Sequence, residues 1–142
     1  MSEQSVAKEC IALVQLETAL RLFAEGQDFY SVITLAGAAD EIFGKLVAAG
    51  GGETSLESLT KASAAIHEHL FGELGDLKGF ADRANRARNA LKHLEATKGP
   101  TVTLDVRQEA IDMLNRAVDN YWTLKSWLTP AMDAFSRSQR AT

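Results

Sequence analysis

The chain has 142 residues, 46% of them hydrophobic and 24% charged, with a net charge of −4 and 2 prolines. That length suits one domain with a single core, the acidic balance excludes a general nucleic-acid coat protein, and a lone cysteine, Cys10, excludes an intramolecular disulfide. No apolar run reaches the ~20 residues of a membrane span, and the polar opening Ser2-Glu3-Gln4 does not read as a signal peptide, so the expectation is a soluble cytoplasmic protein forming one domain over residues 1–142.

Few prolines and β-branched runs, with many Ala, Leu and Glu, favour helix throughout. A first helix is predicted from about Gln4 to Glu25, with Val6, Cys10, Leu13, Leu16, Leu20 and Phe23 on one apolar stripe and Gly26 as its stop. On that stripe Cys10 reads as a buried, inert thiol. A second helix, from about Asp28 to Ala49, is apolar over most of its circumference, the mark of a central helix. Its Ala36-Gly37-Ala38-Ala39 run permits close helix approach. Gly50-Gly51-Gly52 breaks it, and Thr54-Ser55-Leu56-Glu57 reads as a capping box opening a third helix. Leu59, Ala62, Ile66 and Leu70 are its predicted buried line, and Gly72 and Gly75 end it.

A fourth helix is predicted from about Leu77 to Leu94, with Phe80, Ala84, Ala87, Leu91 and Leu94 as its core seam. After a loop over residues 95–103, Leu104 and Asp105 read as a staple and N-cap, with Gln108 at the capping-box position. The fifth helix carries Ala110, Leu114, Ala117, Tyr121, Leu124 and Leu128 on one line. Pro130 ends or kinks it, and the tail from Ser136 to Thr142 reads as frayed. The fold class is all-α, an antiparallel bundle of four or five helices.

The chemistry concentrates on the fourth helix. Arg88-Asn89-Ala90-Leu91-Lys92-His93 sets a permanent cation, a small amide and a proton-transfer group within six residues. Arg grips phosphate with a planar fork of donors, and His gives and takes protons near neutral pH. Lys78, Arg83, Arg86, Arg88, Lys92 and Lys98 place six of the fifteen basic residues on one stretch opposed only by Asp82 and Glu95. Such a stripe steers a polyanion to one place on an acidic protein; its alternative is a solvated, salt-bridged helix face. At 100° per residue Asn89 and His93 share a face, whereas Arg88 is turned roughly 140° from His93 and flanks the core seam. Bringing both to one atom needs a distorted last turn or a second copy of the helix.

On the residues Arg88, Asn89 and His93 the chain resembles the HEPN family, small all-α domains that carry an Arg, four to six residues and then a His. The resemblance implies a homodimer whose paired motifs line one cleft that takes RNA or a nucleotide. If active, the protein would be an endoribonuclease needing no metal or cofactor, a toxin or defence component neutralised by a nucleotidyltransferase-type antitoxin. It assigns catalysis to Arg88, Asn89 and His93, while the basic stripe itself points to Arg83, Arg86 and Lys92 for RNA or phosphate binding. The family's occasional Tyr two residues after the His is Glu95 here, so chemistry through that Tyr is not expected. Two other readings stay open: a non-catalytic HEPN-like interaction module, and an unrelated helical bundle in which the spacing has no function.

The remaining candidates have plainer readings. Asp40 projects near the apolar sector of the second helix, where a carboxylate needs a partner; Arg88 is the candidate, in a structural ion pair or as a supporting acid. Glu41 falls on the polar side with Thr34 and Lys45. His67 and His69 lie two apart and point about 200° from each other, which does not suit one metal ion. Tyr121, Trp122 and Trp127 read as core and interface anchors.

Overall fold

Six α-helices, and no strand, make up the regular structure of the described residues, 2–94 and 98–141 of a computed structural model: α1 Lys8–Ala24, α2 Phe29–Ala49, α3 Ser55–Phe71, α4 Leu77–Ala90, α5 Val106–Lys125 and α6 Pro130–Arg140. Four of the six helix starts are capped by a side chain. The side chains of Asp28, Thr54, Asp105 and Thr129 accept from the backbone N–H groups of Ser31, Glu57, Gln108 and Met132, satisfying donors that a first turn leaves free. At Gly26 and Gly72 the chain turns with φ of 69° and 75°, the left-handed conformation glycine tolerates.

α2 is the central helix, as its apolar circumference predicts. Val32, Ile33, Ala36, Ala39 and Phe43 are fully buried against Leu16 and Ala19 of α1 and Leu114, Ala117 and Tyr121 of α5. Phe43 meets Tyr121 edge-on with ring centroids 5.3 Å apart. Each of the larger side chains contributes about 1.5–3 kcal/mol by leaving water.

Several expectations need correction. The tail is helical to Arg140, because Pro130 starts α6 at a position where its missing N–H is harmless. Met132 and Phe135 of α6 enter the core, and Phe135 meets Phe23 edge-on at 5.6 Å. The expected all-α bundle therefore has six helices among the described residues, one more than the upper count. The buried face of α1 is Ala12, Leu16, Ala19 and Leu20; Val6 lies outside the helix, and Cys10 is exposed. The predicted line of α3 is not buried: Leu59, Ile66 and Leu70 are 45%, 61% and 65% exposed, and Thr60 and Ala64 face inward instead. Tyr121 is core, while Trp122 and Trp127 are half exposed.

α3 and α4 form a hairpin laid against the core. Gly75, buried in their turn, has its missing Cβ position 2.6 Å from the Phe80 ring and 3.0 Å from the Ala64 Cα. Only a residue without a side chain lets the two helices close there.

A basic cleft along the fourth helix

α4 ends at Ala90 rather than Leu94. Lys92 N–H donates to the Asn89 carbonyl, a tighter step than the helical one, while His93 N–H keeps its bond to the same oxygen at 3.1 Å. Leu94, expected on the core seam, is 81% exposed because it lies past the helix end. Ala87 is the deeply buried member of that seam, with Phe80, Ala84 and Leu91 half-buried. The expectation attached to Glu95 lies outside the described residues.

Beside this helix end is an open cleft of about 1180 Å³. Arg83, Arg86, Asn89, Lys92 and His93 line it from α4 and the turn after it, and residues 98–103 form its other wall. The walls are tied by Arg86, whose Nη2 donates to the Thr103 carbonyl at 3.0 Å. Asp82, the acid on the cleft, is held by Lys78 at 2.8 Å. Five of the residues singled out from the sequence thus share one cavity. An arrangement of three exposed cations, an amide and an imidazole on one concave wall suits a phosphate-bearing ligand and one proton transfer.

Arg88 stands apart. It does not line the cleft, and its side chain, 14% exposed, runs over α2 instead. Gly37 makes room for it: a Cβ there would sit 2.6 Å from the Arg88 Cδ. The close approach predicted from the small residues of α2 thus accommodates an arginine stem. The Arg88 guanidinium lies 4.0 Å from the Asp40 carboxylate, the partnership expected from the sequence. Its Nε has no hydrogen-bond partner among the described residues.

Asp40, 4% exposed, has two closer partners that sequence reasoning missed. Its Oδ2 accepts from Arg116 Nη2 at 2.7 Å and its Oδ1 from Asn120 Nδ2 at 3.0 Å. Arg116 also donates to the Ala84 carbonyl of α4 at 3.1 Å, and Asn120 accepts from the Ser55 N–H at the start of α3 at 2.8 Å. One buried network therefore joins α2, α3, α4 and α5. Its signal in the sequence was a polar pair four residues apart, Arg116 and Asn120, flanking the Leu114–Ala117–Tyr121 line. Burial pushes the Asp40 carboxyl above the usual carboxylate range, and the Arg116 and Arg88 guanidinium groups pull it back.

The other candidates are settled locally. Glu41 is exposed and pairs with Lys45 at 3.2 Å, which holds its carboxyl below the usual range, with smaller pulls from Arg88 and Lys92. His67 packs its ring on Phe71 at 4.8 Å and meets the Glu73 carbonyl through Nδ1 at 3.0 Å. Among the described residues no three His, Cys, Asp or Glu side chains gather to hold a metal ion, and no helix is long and apolar enough to cross a membrane.

No family model, curated protein or solved structure matches the chain.

Proposed function

We propose that this chain is a HEPN-like protein that binds RNA or a nucleotide by its phosphates in the α4 cleft, and that it cuts RNA without a metal. The observation that carries the reading is the gathering of His93, Asn89, Arg83, Arg86 and Lys92 on one open cleft. The cations attract the backbone. His93 takes the proton of a ribose 2′-hydroxyl, whose oxygen attacks the adjacent phosphorus, or returns a proton to the 5′-oxygen that leaves. The products carry 2′,3′-cyclic phosphate and 5′-hydroxyl ends. Asn89 orients the imidazole or the phosphate. The family resemblance adds a homodimer, a role in a toxin–antitoxin or defence system and a nucleotidyltransferase-type antitoxin.

The position of Arg88 favours a second reading. Within one chain it serves the Asp40 network rather than the cleft, so a phosphate stabiliser must come from Arg83, Arg86, Lys92 or Lys98, or from a second copy. Without one the protein is a non-catalytic HEPN-like binding module. The test incubates pure protein with defined RNA in excess chelator. Cleavage by wild type that leaves cyclic phosphate ends, and its loss in His93→Ala, supports the enzyme. Wild type that binds RNA and never cuts it leaves the binding module. Cleavage unchanged in His93→Ala overturns the mechanism.

A further inference from the structure

Leu94 is exposed at a telling place. It follows His93 past the end of α4, is 81% exposed and lines the basic cleft. On the facing wall Pro100 and Val102 line the same cavity, Pro100 exposed and Val102 at 42%. Half-buried Leu91 joins them from the end of the helix. Apolar side chains scattered singly over a surface are ordinary. These four gather in one cavity whose α4 side is cationic.

The facing wall is held in place, since Arg86 ties it to α4 through the Thr103 carbonyl at 3.0 Å. Over residues 98–103 its sequence is Lys-Gly-Pro-Thr-Val-Thr. Lys98 is the single charge in that segment, and it has the sign of the α4 cations. The cleft therefore pairs positive charge with apolar surface and two threonine side chains. The acid on it, Asp82, is occupied by Lys78 at 2.8 Å.

That pairing narrows what the cleft can hold. A bare polyanion satisfies the cations and leaves Leu94, Pro100 and Val102 in water. A nucleotide carries both parts: phosphate for the cations and the apolar faces of a base for the wall. In a duplex those faces are covered by stacking, so the base must be unpaired. The dimensions favour a strand over a single nucleotide. From Arg83 to His93 α4 rises ten residues, about 15 Å. The cavity of about 1180 Å³ also exceeds the ~300–1,000 Å³ of ordinary small-molecule pockets.

We infer that Leu94, Pro100 and Val102 form a subsite for an unpaired nucleobase, so that the cleft takes a single RNA strand and rejects a duplex. The inference rests on the reading of the cleft as a phosphate site. Because Leu94 directly follows His93, a base held there keeps its own ribose beside the imidazole.

The test is fluorescence anisotropy with labelled 2′-O-methyl strands of about ten nucleotides, within the range that one single-strand site covers. Such strands lack the hydroxyl that attacks, so binding is read without cleavage. The single strand should bind at least ~10-fold tighter than the same strand in a duplex, or than a strand with abasic central positions. Leu94→Ser and Val102→Ser should each weaken single-strand binding about three- to tenfold. Neither should change the slope of affinity against salt or the binding of inorganic polyphosphate. Arg83→Ala should lower that slope by about 0.7, the signature of one lost phosphate contact. Circular dichroism should not change in the two serine variants, whose parent side chains already face water. Val14→Ser, exposed on α1 at 66%, should bind like wild type. Duplex or abasic strand bound as tightly as the single strand overturns the inference, and so does adenosine monophosphate bound as tightly as the strand. Binding that weakens in Arg83→Ala yet is unchanged in both serine variants overturns the base subsite and leaves the phosphate reading standing. A wild type that binds neither strand nor polyphosphate overturns both.

Discussion

A single buried carboxylate organises much of this molecule. Asp40 is held by Arg116 and Asn120 and faces Arg88, so removing one partner costs more than the pair is worth. Arg116→Met should destabilise the protein by about 3–5 kcal/mol, because the carboxylate stays buried with its closest cation gone. The double variant Asp40→Leu/Arg116→Met should recover much of that loss in urea denaturation; a double variant no more stable than the single one would count against this account. Arg88→Ala carries a pH signature. The Asp40 carboxyl titrates higher in the fold than in the unfolded chain, so its contribution to stability is full below the unfolded-state value near ~3.9 and is lost as pH rises through the folded-state value. Taking away Arg88 removes one of the pulls that hold this value down. The stability deficit of Arg88→Ala should therefore be larger at neutral pH than at a pH near the unfolded-state value in thermal melts. Cys10→Ala should shift the melting temperature negligibly, since the thiol is exposed rather than in the core.

At the scale of the element, the α3–α4 turn and α6 are the informative pieces. Gly75→Ala places a methyl against a Phe80 ring that sits between helices and against backbone at Ala64. It should destabilise by about 1–3 kcal/mol, the usual consequence of overpacking, and amide exchange in α3 and α4 should rise more than in α2 or α5. α6 reads as a tail in the sequence because it follows a proline and has polar neighbours. Its core role rests on Met132 and Phe135, and on Thr129, which caps it and hydrogen-bonds Glu17 of α1. Met132→Ala should cost about 2–5 kcal/mol, as for other fully buried Met side chains. A cost below about 1 kcal/mol would mean that α6 is only loosely docked.

For the whole molecule, the sequence alone determined the class, the caps and the basic stretch. Helical periodicity, capping boxes and glycine stops depend on neighbours a few residues away, so Thr54, Asp105 and Gly72 act in the structure as they read in the chain. The clustering of Arg83, Arg86, Lys92 and His93 was legible for the same reason: one helix and its end carry them all. Only the tertiary structure decided which way each face points. An amphipathic stripe predicts burial without saying against what, and the stripe of α3 is uncovered within the chain because α4 and α5 meet the helix on another side. The partners of Asp40 were likewise hidden, since Arg116 and Asn120 come from 76 and 80 residues away and no local spacing links them. The separation of Arg88 from His93 was half legible. Helical geometry sets them on different faces, and the packing of Arg88 over Gly37 fixes which of those faces turns inward. Local hydrogen bonding is encoded residue by residue, whereas the direction of a face depends on every helix packed around it.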